Sequence, residues 1–434
     1  MDRLFTSTAF FFFLVALVHA AEIKDLRELK QDHSLYTRQA AYVFNHLNLN
    51  LQREADAFFN KRFFSPWHQR TSHFTKEDIT QEFEKYGKDP GYGSDGKRHT
   101  KAWMKRIIKN AALNTYPAAG YPAITVENGD LRVLPTMEKH LFDPRNSSLP
   151  FDNLQNSGVS VGTPLYISHM TQDKKWVLAE THYAIGWLLQ EKIAKVDENF
   201  IAIWEKGPYI TVIKERARIE RAGGKPLLAP LGSFFPLLGE EGESFRILIA
   251  RRNAEGHAET REALISHNVC APKPLSLSAT NMAAIANELL NQPYGWGGLD
   301  AKRDCSSTLM DLFAPFGLWL PRNSGHQATM TGALIDLKGL TPEEKKKVIL
   351  EQGIPYFTLL WLKGHIMLYI GSQEGNPIVF HNFWSVKENH KKIIVGRAAI
   401  TTLNPNGDGK EEILRALRGM VLLWPPPREI EENF

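Results

Sequence analysis

Asp304-Cys305-Ser306-Ser307-Thr308-Leu309-Met310-Asp311-Leu312-Phe313 opens an amphipathic run in which Leu309, Leu312, Phe313 and Phe316 recur at helical spacing before Gly317 ends it. The pattern predicts a helix with Asp304 at its N-cap and Cys305 in its first turn. Unpaired backbone N–H groups and the helix dipole at that end favour the thiolate, the form of cysteine that attacks a carbonyl. A cysteine at a helix start also serves as a small buried hydrophobe, so its partners decide between the two roles.

Downstream, Gly364-His365-Ile366-Met367-Leu368-Tyr369-Ile370-Gly371 and Ile378-Val379-Phe380-His381-Asn382-Phe383-Trp384 have strand character, with turn residues from Ser372 to Pro377 between them. Folded about Gln373, this hairpin sets His365 nearly opposite His381, within one residue of register. Neighbouring imidazoles are what a general base and its orienting partner require: one takes the thiol proton and the other holds it in the right tautomer and direction. Taken singly, each histidine also reads as an ordinary half-buried strand residue. A metal set of His365, His381 and His390 lacks tight ligand spacing and a carboxylate partner, so neither metal nor cofactor is expected. Asn404-Pro405-Asn406-Gly407-Asp408-Gly409 begins like a calcium loop, but the twelfth position counted from Asn404 is Arg415 instead of a bidentate glutamate, and a hairpin turn is the expectation.

Upstream, three helices are predicted between residues 21 and 120. One runs from Asn50, as N-cap, to Phe64, with Leu51, Ala55, Phe58 and Phe59 on one face. A second begins at Thr75 and Asp78, an acidic capping box, and the third covers Lys101 to Leu113. From Ala123 the pattern changes to short strands: Ala123–Val126, Leu131–Leu134, Pro164–Ser168, Trp176–Glu180 and Ile185–Leu189, with Asn128-Gly129 as a hairpin turn. A second set follows at Phe200–Trp204, Tyr209–Ile213, Lys225–Leu228, Phe234–Leu237 and Phe245–Ile249. Two small barrels in tandem, 121–199 and 200–274, are the expectation, with Ala271 to Pro274 as a linker to the last unit, 275–434.

The chain has 434 residues, enough for two to four domains, and its 43% hydrophobic and 23% charged shares are those of a globular protein. Its net charge of +4 is too slight for a nucleic-acid footprint, and the lysine runs at Lys345 to Lys347 and Lys391-Lys392 read as solvated faces. Arg3, the apolar Phe10 to Val18 and the small-residue site Val18-His19-Ala20 read as a signal peptide over 1–20, too short to span a bilayer. Export with no later apolar span predicts a periplasmic or secreted protein without stable membrane insertion. Two cysteines, Cys270 and Cys305, are too few for a disulfide framework.

Four ordered motifs, Pro293-Tyr294-Gly295-Trp296-Gly297-Gly298, Asp304-Cys305-Ser306-Ser307, Leu320-Pro321-Arg322-Asn323-Ser324 and Gly364-His365 with His381, resemble the NlpC family of bacterial cell-wall cysteine peptidases. The resemblance covers about 275–434. The tandem barrels resemble the bacterial SH3-like domains that accompany this domain, and Phe63-Phe64-Ser65-Pro66-Trp67 resembles the helical extension of its multidomain subgroup. The fold so implied is multidomain α+β: a helical N-terminal region, two SH3-like barrels and a papain-like peptidase domain.

The resemblance further implies cleavage of the γ-D-glutamyl-L-diamino acid bond, usually to diaminopimelate, in peptidoglycan stem peptides. It makes Cys305 the nucleophile, His365 the base, His381 the third triad member and Tyr294 an oxyanion donor. Asp304, Ser306, Ser324 and Trp296 match substrate-groove positions. In the subgroup the first barrel closes one end of the groove and restricts substrates to those with a free N-terminal L-alanine. Ser307 departs from the family's more usual glycine, and the loop Gly298 to Asp304 is short. Cys270 matches no family role and reads as structural. Competing readings are a wall-binding protein with an inactive catalytic domain, and amidase or acyltransferase chemistry on the same fold.

Overall fold

The computed structural model describes residues 23–146, 151–221, 225–388, 391–407 and 409–423; the expected signal peptide, His390 and Asp408 lie outside them. The long helix Leu49–His68 is capped by Asn48, whose side chain accepts the Asn50 N–H at 2.9 Å. The expected cap, Asn50, lies inside the helix, because the residue still in extended conformation is the one that can turn its side chain onto the first free N–H groups. Thr75 and Asp78 form the reciprocal cap of Lys76–Lys88, and Thr100 caps Lys101–Ala111.

These helices hold the units together. Ile79, Phe83, Trp103 and Ile107 are buried against Trp176, Leu178 and Trp187 of the first β unit. On the long helix, Ala55 belongs to the core of the C-terminal unit, while Phe59, Phe63, Phe64 and Trp67 enter the core of the second β unit. At about 1.5–3 kcal/mol for each large side chain buried, these contacts outweigh the helix's own propensity.

The first β unit is a seven-stranded antiparallel sheet in the order Gln155–Val159, Gly129–Arg132, Ile185–Leu189, Trp176–Glu180, Pro164–Met170, Tyr121–Thr125, Ile193–Lys195. Asn128-Gly129 is not a hairpin turn: Tyr121–Thr125 pairs with Pro164–Met170 and Ile193–Lys195 instead. Asn128 acts at long range, accepting the Val161 N–H and donating to the Leu228 carbonyl.

In the second unit, Tyr209–Val212, Phe234–Glu241 and Ser244–Arg252 stand near the expected positions, joined by Ala258–Ser266 and Cys270–Pro272 in a five-stranded sheet. Residues Phe200–Trp204 belong to a helix, Glu198–Glu205, and not to a strand. Asp197 accepts the Phe200 N–H at 2.7 Å, and Phe200 and Trp204, four apart, stack at 5.2 Å on one buried face; a short apolar run fits either period. Ala271 and Pro272, expected in a linker, close the sheet by pairing with Thr211 and Ile210.

The C-terminal unit packs Cys305–Phe313 against a six-stranded antiparallel sheet, in the order Ala333–Asp336, Leu417–Leu422, Thr358–Leu362, His365–Gln373, Asn376–Glu388, Lys391–Thr402. Among the described residues, the segment after Thr402 leads into a short helix, Glu412–Ala416, and the strands on either side, Lys391–Thr402 and Leu417–Leu422, pair with other strands and not as the hairpin expected about 404–409. The N-terminal end of the described chain lies on this sheet: Asp25 accepts from the Thr402 N–H and hydroxyl, and Gln31 donates to the Ile400 carbonyl.

Candidate active site

Asp304 caps the helix Cys305–Phe313, accepting the Ser307 N–H at 2.9 Å, and the Ser307 hydroxyl accepts the Asp304 N–H at 3.0 Å. The serine that replaces the family's glycine thus completes a capping box. Asp304 is further engaged by Arg322, which donates to both carboxylate oxygens at 3.0 and 2.7 Å, and by the Ser306 hydroxyl. Burial alone would raise this carboxylate; the Arg322 guanidinium and the Ser307 donors overcome it and hold Asp304 below the usual range. Asp304 and Ser306, expected to line the groove, therefore form the internal support of the helix start. The Asp304 carboxylate is not an open acceptor.

Cys305, 7% exposed, sits on this support. The Ile366 and Ser306 N–H groups favour its thiolate, as the helix start predicts, but burial and the Asp304 charge outweigh them and push the thiol up to about 12. The Ile366 amide brings the thiol to the start of the strand that carries His365.

The hairpin turns at Glu374-Gly375, with Gln373 paired to Asn376, and a bulge between Tyr369 and Gly371 shifts the register once more. Leu368 opposes Phe380, so His381 falls opposite Met367 and His365 lies on the diagonal, two residues from the expected pairing. A diagonal neighbour on the same face is within reach of a long side chain: His365 Nε2 and His381 Nδ1 are 2.8 Å apart. His381 Nε2 meets the Thr401 hydroxyl at 3.0 Å, and the ring stacks on Phe383 at 4.0 Å. Burial lowers His365 to about 4 despite the Asp304 charge, and burial followed by the His365 neighbour takes His381 well below its ordinary value.

Tyr294 is buried, and burial with the charges of Asp304 and Cys305 raises its phenol far above the ordinary value, so it remains a proton donor. It lines, with Gly364, His365, His381 and Trp384, a cavity of about 380 Å³ whose wall also carries Lys387 and Glu412. Trp296 is 45% exposed at the rim. Phe151, from the first β unit, stands among Tyr294, Trp296 and Trp384 with ring centroids 6.0, 6.1 and 5.5 Å away. The same unit seats the loop before Cys305. Gly297 and Gly298 have φ of 60° and 83°, and a Cβ on either would come within 2.6 Å of the Gln155 carbonyl or 2.7 Å of the Gly158 nitrogen.

Ser324 opens the helix Ser324–Met330 behind its cap Asn323, while the neighbouring Arg322 reaches Asp304 and also donates to Ser157 of the first β unit at 2.8 Å. Gln327 of that helix donates to the Ser306 and Pro321 carbonyls. Sequence reasoning missed Arg322, Gln327, Ser157, Phe151 and Thr401. Arg322 alone carried a signal, since it stands inside a motif and a buried aspartate needs a cation. Cys270 and Cys305 are both free, and Cys270 is pushed up to about 12 by burial. Among the described residues no three His, Cys, Asp or Glu side chains form a metal-ligating group, and no helix is long and apolar enough to cross a membrane.

Family models match three stretches of the chain: the NLPC_P60 stabilising domain, N term, over 7–116, an SH3 domain of the SH3b1 type over 140–189, and the NlpC/P60 family over 291–392. Among solved structures, an NlpC/P60 endopeptidase from Photobacterium damselae subsp. piscicida superposes with a TM-score of 0.81 at 25% identity, covering 91% of this chain and 97% of its own. An NlpC/P60 family protein from Bacillus cereus ATCC 10987 aligns at 16% identity and a TM-score of 0.49, covering 70% of this chain and all of its own (100%). No curated protein sequence matches the chain. Over 291–392, the stretch that holds Cys305, His365 and Tyr294, the chain therefore carries a domain of the NlpC/P60 family of cysteine peptidases, behind stretches that match that family's N-terminal stabilising domain and an SH3 domain.

Proposed function

We propose that the chain is a cell-wall cysteine endopeptidase that hydrolyses the γ-D-glutamyl-L-diamino acid bond, to diaminopimelate, of peptidoglycan stem peptides, preferring those with a free N-terminal L-alanine. The observation that carries the reading is the buried Cys305 thiol at a helix start beside the strand of His365, whose imidazole is bonded to a second one at 2.8 Å. The thiol proton passes to the His365 nitrogen that His381 does not engage, Nδ1, as sulfur bonds to the carbonyl carbon. Tyr294 and a backbone N–H at the helix start stabilise the oxyanion. The C–N bond then breaks, His365 protonates the leaving amine, and water hydrolyses the thioester and restores the thiol.

Two features support the finer specificity. Lys387 and Glu412 offer opposite charges on one cavity wall, as the carboxylate and amine of a diamino acid require. Phe151 brings the first β unit against the aromatic end of the groove, which favours short, unlinked peptides. Action in the periplasm or outside the cell follows on removal of residues 1–20.

Mass spectrometry of defined stem peptides, free and sugar-linked, tests the reading. Wild type is expected to release L-Ala-γ-D-Glu from the free peptides, and Cys305→Ala to release none. Clearance of intact sacculi with free peptides left untouched would overturn the proposed preference; products cut at another bond would overturn the proposed linkage.

A further inference from the structure

The two histidines lie at the end of a hydrogen-bond chain with a defined direction. Thr401, fully buried, donates its one hydroxyl proton to the Thr402 carbonyl at 2.8 Å, so toward His381 Nε2, 3.0 Å away, it can only accept. His381 must therefore carry its proton on Nε2. A neutral ring has one N–H, which leaves His381 Nδ1 bare and able to accept, at 2.8 Å, from His365 Nε2. His365 then holds its proton on Nε2 and a free lone pair on Nδ1. Reversing the Thr401 hydroxyl would reverse every step and place a proton on the nitrogen that has to receive one. The acceptor of the Thr401 proton is itself fixed, since Asp25 accepts from both the N–H and the hydroxyl of Thr402.

We propose that Thr401 is a positioning residue of the catalytic site: its hydroxyl sets the tautomers of His381 and His365, and so makes His365 Nδ1 the proton acceptor. The inference rests on Cys305 and His365 being the reacting pair, but not on the identity of the peptide cleaved.

Thr401→Val removes the hydroxyl and keeps the shape; Thr401→Ser keeps the hydroxyl. Thr401→Val is expected to lower kcat roughly ten- to hundredfold with KM unchanged, short of the ~10⁴-fold that a wholly wrong tautomer costs a triad. Thr401→Ser is expected to stay within about twofold of wild type. Alkylation of Cys305 by iodoacetamide should slow with kcat in Thr401→Val, and this readout needs no peptide, so it separates this inference from the proposed substrate. Nitrogen-15 spectra of wild type should show Nε2–H and bare Nδ1 on both rings. The opposite tautomer on either ring of wild type would overturn the proposal even if Thr401→Val does not fold. So would a folded Thr401→Val with wild-type kcat and alkylation rate.

Discussion

Burial acts in opposite directions on the two groups proposed to react, pushing the Cys305 thiol up to about 12 and lowering His365 to about 4. At neutral pH the pair rests as thiol and uncharged imidazole, and charge appears only as the proton moves. His365 stays a competent base down to its lowered value, so kcat/KM should hold to about pH 5 and fall below it; an acid limb centred near 6.5 would contradict a buried, neutral His365. Cys305→Ala should lose hydrolysis by roughly 10⁶-fold in a kinetic assay, to the level left by binding and oxyanion donors. Arg322→Ala leaves the Asp304 charge buried and unpaired, which should cost about 3–5 kcal/mol in denaturant unfolding, and Arg322→Lys should recover little, having no fork for two oxygens. That Cys305 starts a helix and that His365 and His381 share a strand face was legible because motif and period mark them. The role of Asp304 was not: its occupancy by Arg322 depends on a contact across 18 positions that no local pattern encodes.

At the scale of elements, the hairpin illustrates what a pattern can and cannot carry. Alternating apolar residues fix that two strands exist and which faces they share, while the register depends on the turn and on a bulge, neither visible in hydrophobicity. Misplacing the turn moved His365 two residues from His381 without changing the shared face, and for that reason the pairing survived. The segment Phe200–Trp204 shows the opposite case, five apolar-rich residues whose period is undefined until Asp197 caps them. Ser307 allows a direct test of local chemistry. Ser307→Gly removes the hydroxyl that accepts the Asp304 N–H, and should lower the unfolding free energy by about 1 kcal/mol while leaving the site assembled.

Across the whole molecule, the first β unit was legible as a small barrel, but its part in the groove was not, because Phe151 and Ser157 lie far in sequence from every motif they meet. Phe151→Ala should raise turnover of sugar-linked or longer peptides relative to free ones, measured as a ratio of kcat/KM; an unchanged ratio would remove this side chain from the specificity. His33 and His182 are both lowered to about 3 by burial. The unfolded chain binds protons at these sites from about pH 6.5 downward while the folded one does not, so stability is full above 6.5 and declines toward 3, by roughly 1.4 kcal/mol per pH unit for the wholly buried His33. Urea midpoints that stay flat between pH 6.5 and 4 would contradict this.

The contacts of Asp25 with Thr402 and of Gln31 with Ile400 join positions 377 and 369 residues apart. Seen in time, synthesis delivers one half of each contact long before the other. A chain emerging from its N-terminus holds the helices and β units before it holds the sheet edge that Asp25 secures and the threonine that directs the two imidazoles. The proposed activity is thereby deferred: the Cys305 site is complete only once segments 377 residues apart have met.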